Sequence, residues 1–212
     1  LPILAGVEIG VASTKAFTCQ LSVLFALSIK AATDMQKISE EEQKNIYSQF
    51  LKIPSMMNQI LGKKDIFIAL ANKLSEARDI LFLGRGLVYP LALEGSLKLK
   101  EISYIHAEAY ASGELKHGPI ALIDKSVPVI ILAPKDKLFE KNISNVQEVA
   151  ARGGKVVLLS DKLGFENTDE EFWSTIELPK TIDALNPLLY AVAVQLIAYY
   201  TAVAKGTDVD QP

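Results

Sequence analysis

Two carboxylates and an ammonium group recur at helical spacing in one segment, where Glu94, Lys98 and Glu101 are four and then three residues apart. Residues three or four apart share one face of an α-helix, so these side chains can meet. Spacing alone favours a surface ladder of ion pairs, each worth about 0.2–0.5 kcal/mol. The alternative is a proton-transfer site, and the helix-weakening Gly95 and Ser96 indicate that another group approaches this backbone closely.

Both histidines of the chain, His106 and His117, lie in the next segment, residues 105–119, among further titratable side chains, glycines and a proline. This composition is typical of a loop that carries binding groups. A structural role is favoured for His106, whereas a structural and a functional role are equally open for His117. Two histidines eleven positions apart, with a single cysteine, provide no recognisable metal-ligand set.

The charge balance excludes two classes of partner. The 212 residues contain 22 basic and 25 acidic side chains, a net charge of -3, with half of all residues hydrophobic. Since no cluster of Lys and Arg occurs, neither nucleic acid nor an anionic membrane surface would find a basic footprint. Small molecules and protein partners remain.

The cysteine content and the apolar runs indicate a cytoplasmic protein. The lone Cys19 excludes an intrachain disulfide. Two apolar runs, 80–83 and 127–133, are too short to span a bilayer, and the longer run 184–204 contains polar residues and predicts a buried helix. The chain opens without a signal-peptide pattern and without a methionine, from which we expect a piece of a longer protein.

The first third of the chain is predicted to be helical, with a boundary near residue 63. Ser13 and Thr14 form a plausible N-cap for a helix over 15–32. Ser39 and Glu42 make a capping box for a second helix that runs to about residue 61, with a kink or break at Pro54. A third helix is predicted over 66–76.

After that boundary, apolar strands alternate with helices. Strands are predicted at 80–83, 127–133, 155–160 and 174–178, with helices after Pro90 and over 138–151. This alternation indicates a doubly wound parallel sheet with a ligand crevice at the carboxyl ends of its strands, where we expect Lys98, Glu101 and His117. The loop 133–137 lacks the Ser, Thr and Gly donors that wrap a phosphate, so phosphate binding is expected elsewhere.

Four motifs together resemble one family, that of glucosamine-6-phosphate synthase, also known as glutamine–fructose-6-phosphate amidotransferase. They are EIGVASTKAF at 8–17, LEGSLKLKEISYIHAE at 93–108, GELKHGP at 113–119 and KGTDVDQP at 205–212. The resemblance is to the C-terminal part of the isomerase half, which consists of two sugar-isomerase (SIS) lobes. It implies an α/β fold: a three-layer αβα lobe with a flavodoxin-like parallel sheet over residues 64–212. Residues 1–63 would be the helical tail of the first lobe and the connector.

The resemblance also implies an activity and the residues that carry it. The family makes glucosamine-6-phosphate from fructose-6-phosphate and ammonia, which an N-terminal glutaminase domain releases from glutamine. Glu101 would be the base that moves a proton between sugar carbons C1 and C2, with Lys98 assisting. His117 would open the sugar ring from the neighbouring subunit of a homodimer, and Val11 would contact the sugar through its backbone. No cofactor or metal is implied.

Three functional elements of the family have no match in these residues. The Ser-Gln-Ser-Gly-Glu-Thr type of phosphate loop belongs upstream of Leu1, and the Schiff-base lysine belongs just beyond Pro212, since Lys205 precedes the matching motif. The interior Cys19 does not correspond to the glutaminase cysteine. These 212 residues alone are therefore expected to be inactive.

Two other functions are compatible with the same fold. SIS lobes also serve as non-catalytic sugar-phosphate sensors in regulators, and a simple sugar-phosphate isomerase would need no ammonia. Glu101 with Lys98 and His117 in the family's motifs favours the enzyme, because a sensor needs no proton-transfer carboxylate.

Overall fold

A five-stranded parallel sheet forms the centre of the computed structural model, which describes residues 1–212. The strands, in the spatial order β2-β1-β3-β4-β5, are β1 (Asp79–Gly84), β2 (His106–Ala111), β3 (Pro128–Leu132), β4 (Lys155–Asp161) and β5 (Ser174–Leu178). Every neighbouring pair is parallel, with Asp79 opposite His106 and Gly84 opposite Ala111. This is the flavodoxin-like order, and the predicted fold class is confirmed.

Helices cover both faces of the sheet. They are α1 (Lys15–Asp34), α2 (Glu40–Phe50), α3 (Ile53–Leu61), α4 (Lys64–Leu74), α5 (Tyr89–Ser103), α6 (Phe139–Ala151), α7 (Lys162–Glu166) and α8 (Asn186–Lys205). Because side chains alternate along a strand, β1 sends Ile80 and Phe82 into a 31-residue core beneath α5 and α8, and Leu81 and Leu83 into a 14-residue core beneath α6.

Helix α8 is apolar on all sides and lies in the larger core. Twelve of its 20 residues are buried, and it packs against α3, α4 and α5. Gly95 of α5 makes this packing possible, since a Cβ at Gly95 would lie 2.8 Å from the Phe82 ring and 2.9 Å from Val194 of α8. The close approach indicated by the sequence around Gly95 is therefore helix packing.

Two segments are long and apolar enough to cross a membrane by length and composition, Lys15–Asp34 and Asp183–Lys205. The apolar window of the second is 61% buried in the fold, so packing accounts for its composition. The first turns Phe17, Leu21 and Phe25 toward the larger core. Length and composition are weak evidence for a membrane span, because the core helices of soluble proteins meet the same criteria.

The helical start of the chain follows its predicted pattern, with one difference. The capping box of Ser39 and Glu42 is present, and Pro54 lies in the first turn of the separate helix α3. Thr14 is the N-cap residue of α1, as predicted, but its side chain makes no capping bond. Instead, Oε1 of Glu8 accepts the backbone N–H of Thr14 at 3.2 Å and of Ala16 at 2.8 Å. A carboxylate six to eight residues away thus satisfies the helix's first donors.

The segment expected to be a site loop, residues 105–119, is mostly regular structure. Its first part is strand β2, and two 3₁₀ helices follow, Ser112–His117 and Pro119–Leu122. Strand β2 is at the edge of the sheet, and only Ala107 of its residues is fully buried. An edge strand needs no continuous hydrophobic sequence, so no apolar run marks β2 in the sequence.

Candidate active site

The Glu94–Lys98–Glu101 row is an inward-facing ion-pair cluster on α5. Lys98 is only 5% exposed. Its Nζ donates to Oε2 of Glu101 at 2.7 Å and lies 3.8 Å from Oε1 of Glu94. The Glu101 side chain is 30% exposed and the Glu94 side chain 11%. A surface ladder, which spacing alone favoured, would leave all three groups in solvent.

Glu94 has the least compensated charge of the cluster. Its Oε1 is buried without a hydrogen-bond partner. Burial raises the pKa of the Glu94 carboxyl, the nearby Lys98 ammonium opposes this, and Glu101 adds to the rise. The protonated form of Glu94 is therefore favoured relative to an exposed glutamate.

A cavity of about 310 Å³ opens beside Lys98. Four parts of the chain line it: residues 8–15, α5 through Lys98 and Ile102, α8 through residues 195–199, and the C-terminal tail, residues 206–212, through Val209 and Asp210. Its polar groups include the carboxylates of Glu8 and Asp210 and the amide of Gln195, whose Nε2 donates to the Thr14 carbonyl at 3.3 Å. Groups of both charges, among them the carboxylates and the Lys98 ammonium, therefore face a space large enough for a small polar molecule.

Val11 lies at the edge of this cavity. Its neighbours Gly10 and Ala12 line the cavity, whereas the Val11 side chain is 69% exposed. The Val11 backbone N–H donates to the Asp210 carbonyl at 2.9 Å. The N-terminal segment and the C-terminal tail are thus joined at the cavity.

The structure does not bring His117 to the same place. Helix α5 runs antiparallel to the strands, so its end at Ser103 lies at the amino edge of the sheet, just before His106 pairs with Asp79. His117 follows β2 at the opposite, carboxyl edge. The two edges are separated by a strand length, about 17–20 Å. The expectation that all three side chains lie at the carboxyl edge is therefore wrong for Lys98 and Glu101.

His117 itself is a surface group. Its side chain is 72% exposed, and its Nδ1 lies 2.7 Å from Oε2 of Glu114. His106, at the amino edge, pairs with Asp79 at 2.8 Å. Within residues 1–212, no three His, Cys, Asp or Glu side chains are grouped so that they could hold a metal ion.

Sequence reasoning missed several groups that shape the cavity. Glu8, Gln195 and Asp210 line it, yet their partners are distant in sequence, as the 181 residues between Thr14 and Gln195 illustrate. Glu8 and Asp210 do lie within the motifs EIGVASTKAF and KGTDVDQP. Their place in these motifs was the only sequence signal that could have identified them as candidate site residues.

The fold agrees with comparisons to known proteins. The SIS domain family matches residues 73–205, and the chain belongs to this family. Within it, the chain is 54% identical over 211 residues to a glutamine–fructose-6-phosphate aminotransferase (isomerizing) of Brucella abortus and 56% identical over 212 residues to one of Bradyrhizobium diazoefficiens. It spans 35% of the length of each of these relatives.

Solved structures give the same result. The C-terminal domain of glucosamine-fructose-6-phosphate aminotransferase from Francisella tularensis superposes with a TM-score of 0.94 at 44% identity, over 97% of this chain and 58% of that one. A putative phosphosugar isomerase from Clostridium difficile, at 22% identity and a TM-score of 0.81, covers 99% of this chain and 58% of that one and shares the fold. The resemblance to the C-terminal part of the aminotransferase is thus confirmed.

The raised pKa of Glu94 predicts a pH-dependent gain in stability for Glu94→Gln. Above pH 4.5, the ordinary pKa of a glutamate, the folded chain binds more protons at Glu94 than the unfolded chain does. The free energy of unfolding of the wild type therefore falls as the pH rises above that value. Glutamine does not titrate. The free energy of unfolding of Glu94→Gln, relative to wild type, should therefore rise as the pH increases above 4.5, measured by urea denaturation. Glu41→Gln, which removes a carboxylate from an exposed position of α2, is the matched control. A difference that is flat or falls with pH would contradict the inferred burial effect.

Proposed function

We propose that this chain is the C-terminal part of the isomerase half of a glutamine–fructose-6-phosphate aminotransferase, which makes glucosamine-6-phosphate from fructose-6-phosphate and ammonia. The observation that carries the proposal is the Lys98–Glu101 pair, bonded at 2.7 Å on α5 beside the cavity. It lies within a motif shared with that family, and the match to curated relatives extends over the whole chain.

Glu101 is the group that moves the proton. An aldose–ketose shift removes a proton from one sugar carbon and returns it to the adjacent carbon on the same face, and one carboxylate can do both. Lys98 binds Oε2 of Glu101, which fixes the carboxylate and leaves Oε1 to take the proton. The partial exposure of Glu101 gives the substrate access, and burial of Lys98 holds the pair in one orientation.

The Val11 segment contributes a backbone group. Its N–H is occupied by the Asp210 carbonyl, so the Val11 carbonyl is the group that accepts a hydrogen bond from a sugar hydroxyl. The phosphate would be held outside these residues, by the loop of the first lobe. Ammonia would come from an N-terminal glutaminase domain. A cytoplasmic location is in agreement with the lone Cys19, which cannot form an intrachain disulfide.

His117 acts in the site of a second subunit. Within one chain it is about a strand length from Glu101, so ring opening at the same sugar requires His117 of another copy. Leu93, Leu97 and Tyr104 lie along the outer side of α5, 44%, 42% and 63% exposed. Such an apolar stripe next to the Lys98–Glu101 pair supports a homodimer whose interface adjoins the site.

Glu101→Gln tests the proposed reaction. In the full-length enzyme the variant should lose about 10²–10⁴-fold in glucosamine-6-phosphate formation from fructose-6-phosphate and added ammonia, because a glutamine cannot take the proton. Sugar-phosphate binding should persist, since the phosphate contacts lie elsewhere. Glu41→Gln, on the exposed start of α2, should match wild type. Near-wild-type turnover by Glu101→Gln would make Glu101 a structural ion-pair residue. Sugar-phosphate binding without turnover in wild type would favour the sensor function.

The shared site predicts complementation between two inactive variants. Full-length His117→Ala and Glu101→Gln enzymes, mixed under conditions of verified subunit exchange, should regain activity, because each mixed dimer contains one site with both wild-type side chains. With random exchange, half of all dimers are mixed and one of their two sites is intact, so roughly a quarter of the wild-type activity should return. Each variant incubated alone is the control. No recovery would contradict a site that is shared between subunits.

The isolated chain is predicted to be inactive although it folds. Without the phosphate loop and the Schiff-base lysine, the sugar is not held in register with Glu101, and a misplacement of about 1 Å costs on the order of 10²-fold in rate. Residues 1–212 should therefore show no interconversion of fructose-6-phosphate and glucose-6-phosphate and no ammonia-dependent product. A protein that contains the complete isomerase half is the control. Comparable turnover by the two would show that the additional segments are dispensable.

A further inference from the structure

The C-terminal tail turns back onto α5 directly after α8. Gly206 adopts φ 79°, in the left-handed region that favours glycine, and its N–H donates to the Val203 carbonyl. The Thr207 N–H donates to the Ala202 carbonyl at 3.1 Å. These two bonds make a Schellman motif, which ends the helix and fixes the direction in which the chain continues.

The Thr207 hydroxyl then attaches the tail to the end of α5. Its Oγ1 donates to the Ile102 carbonyl at 2.6 Å, the shorter of its two contacts, and lies 3.1 Å from the Ala202 carbonyl of α8. Ile102 lies within the last turn of α5, where backbone carbonyls have no partner inside the helix. Ile102 is also the residue directly after Glu101 in the chain. A part-buried hydrogen bond between residues 105 positions apart in sequence therefore connects the tail to the backbone next to the proposed base.

Beyond Thr207, the tail forms one wall of the cavity. Oδ1 of Asp208 accepts the N–H groups of Asp210 at 2.9 Å and Gln211 at 3.0 Å, which folds the tail into a turn. Val209 and Asp210 line the cavity, and the Asp210 carbonyl accepts the Val11 N–H. The bonds thus run continuously from the end of α5, through Thr207 and the tail, to the Val11 segment.

We propose that Thr207 is a positioning residue for the reaction at Glu101: its hydroxyl sets the distance between the Lys98–Glu101 pair and the opposite wall formed by the tail and Val11. The proposal rests on the proposed function and adds a residue outside the cavity lining. Thr207 acts through Asp210 and Val11, and it makes no contact with the reacting atoms. Without its hydroxyl, the tail loses its bond to the end of α5, and the sugar contacts beyond Thr207 shift relative to Glu101.

The test is a set of threonine substitutions in the full-length enzyme, assayed with fructose-6-phosphate and added ammonia. Thr207→Val keeps the shape of the side chain and removes the donor, and it should lower kcat by about 10- to 100-fold, since a misplacement of about 1 Å costs on the order of 10²-fold. Thr207→Ser keeps the donor and should stay within about threefold of wild type. Glutaminase activity should be unchanged in both.

Thr201→Val is the matched control. Thr201 is a fully buried residue of α8 whose hydroxyl has no hydrogen-bond partner, so the same atoms are lost without loss of a bond, and kcat should match wild type. If Thr207→Val does not fold, Asp208→Ala, which removes the acceptor that folds the tail, should produce the same loss of kcat.

The outcomes separate this inference from the proposed function. The positioning role is overturned, and the proposed function stands, if Glu101→Gln is inactive while Thr207→Val keeps a kcat within about twofold of the Thr201→Val enzyme. Asp208→Ala takes the place of Thr207→Val in this comparison if the latter does not fold. A loss of kcat in Thr207→Val that Thr207→Ser does not share supports the positioning role. Wild-type turnover by Glu101→Gln would overturn both, because Thr207 would then position the tail against a residue that is not the base.

Discussion

Burial of α8 against the sheet and three other helices is the constraint on which the site depends. The helix is apolar on all sides, so it is stable only where α3, α4 and α5 cover it. Because Gly95 has no Cβ, α5 can approach Val194 of α8 closely. This packing places Lys98 of α5 and Gln195 of α8 on the same cavity, and it brings the end of α8 beside Ile102, within reach of the tail.

The same packing explains why the cavity is away from the usual crevice of an open α/β sheet. Both α5 and α8 follow strands and return antiparallel to them, so residues late in these helices lie at the amino edge. Ligands of such sheets ordinarily bind at the carboxyl edge. The cavity is formed by two helices, an N-terminal segment and the C-terminal tail, and it does not use the strand ends. His117, which does follow a strand, would act in a second subunit of the proposed dimer.

The sequence was sufficient for elements whose cause is local. The apolar run of β3 and the capping box of Ser39 and Glu42 depend on neighbouring residues, and both are present as predicted. The edge strand β2 and the Glu8 cap of α1 were not predicted, because their partners are set by the fold. The Lys98–Glu101 contact could be predicted from helical spacing, whereas its burial and its edge of the sheet required the path of α5.

The asymmetry of the ion-pair cluster supports different roles for its two carboxylates. One ammonium group cannot fully compensate two carboxylates that have left water, and the more deeply buried one carries the larger desolvation cost. That carboxylate is Glu94, which is 3.8 Å from the Lys98 Nζ and has an oxygen without a partner. Glu101 has the 2.7 Å bond and the greater exposure. Lys98 therefore makes its short bond to Glu101, the carboxylate that is more open to solvent, and leaves Glu94 buried without a comparable partner.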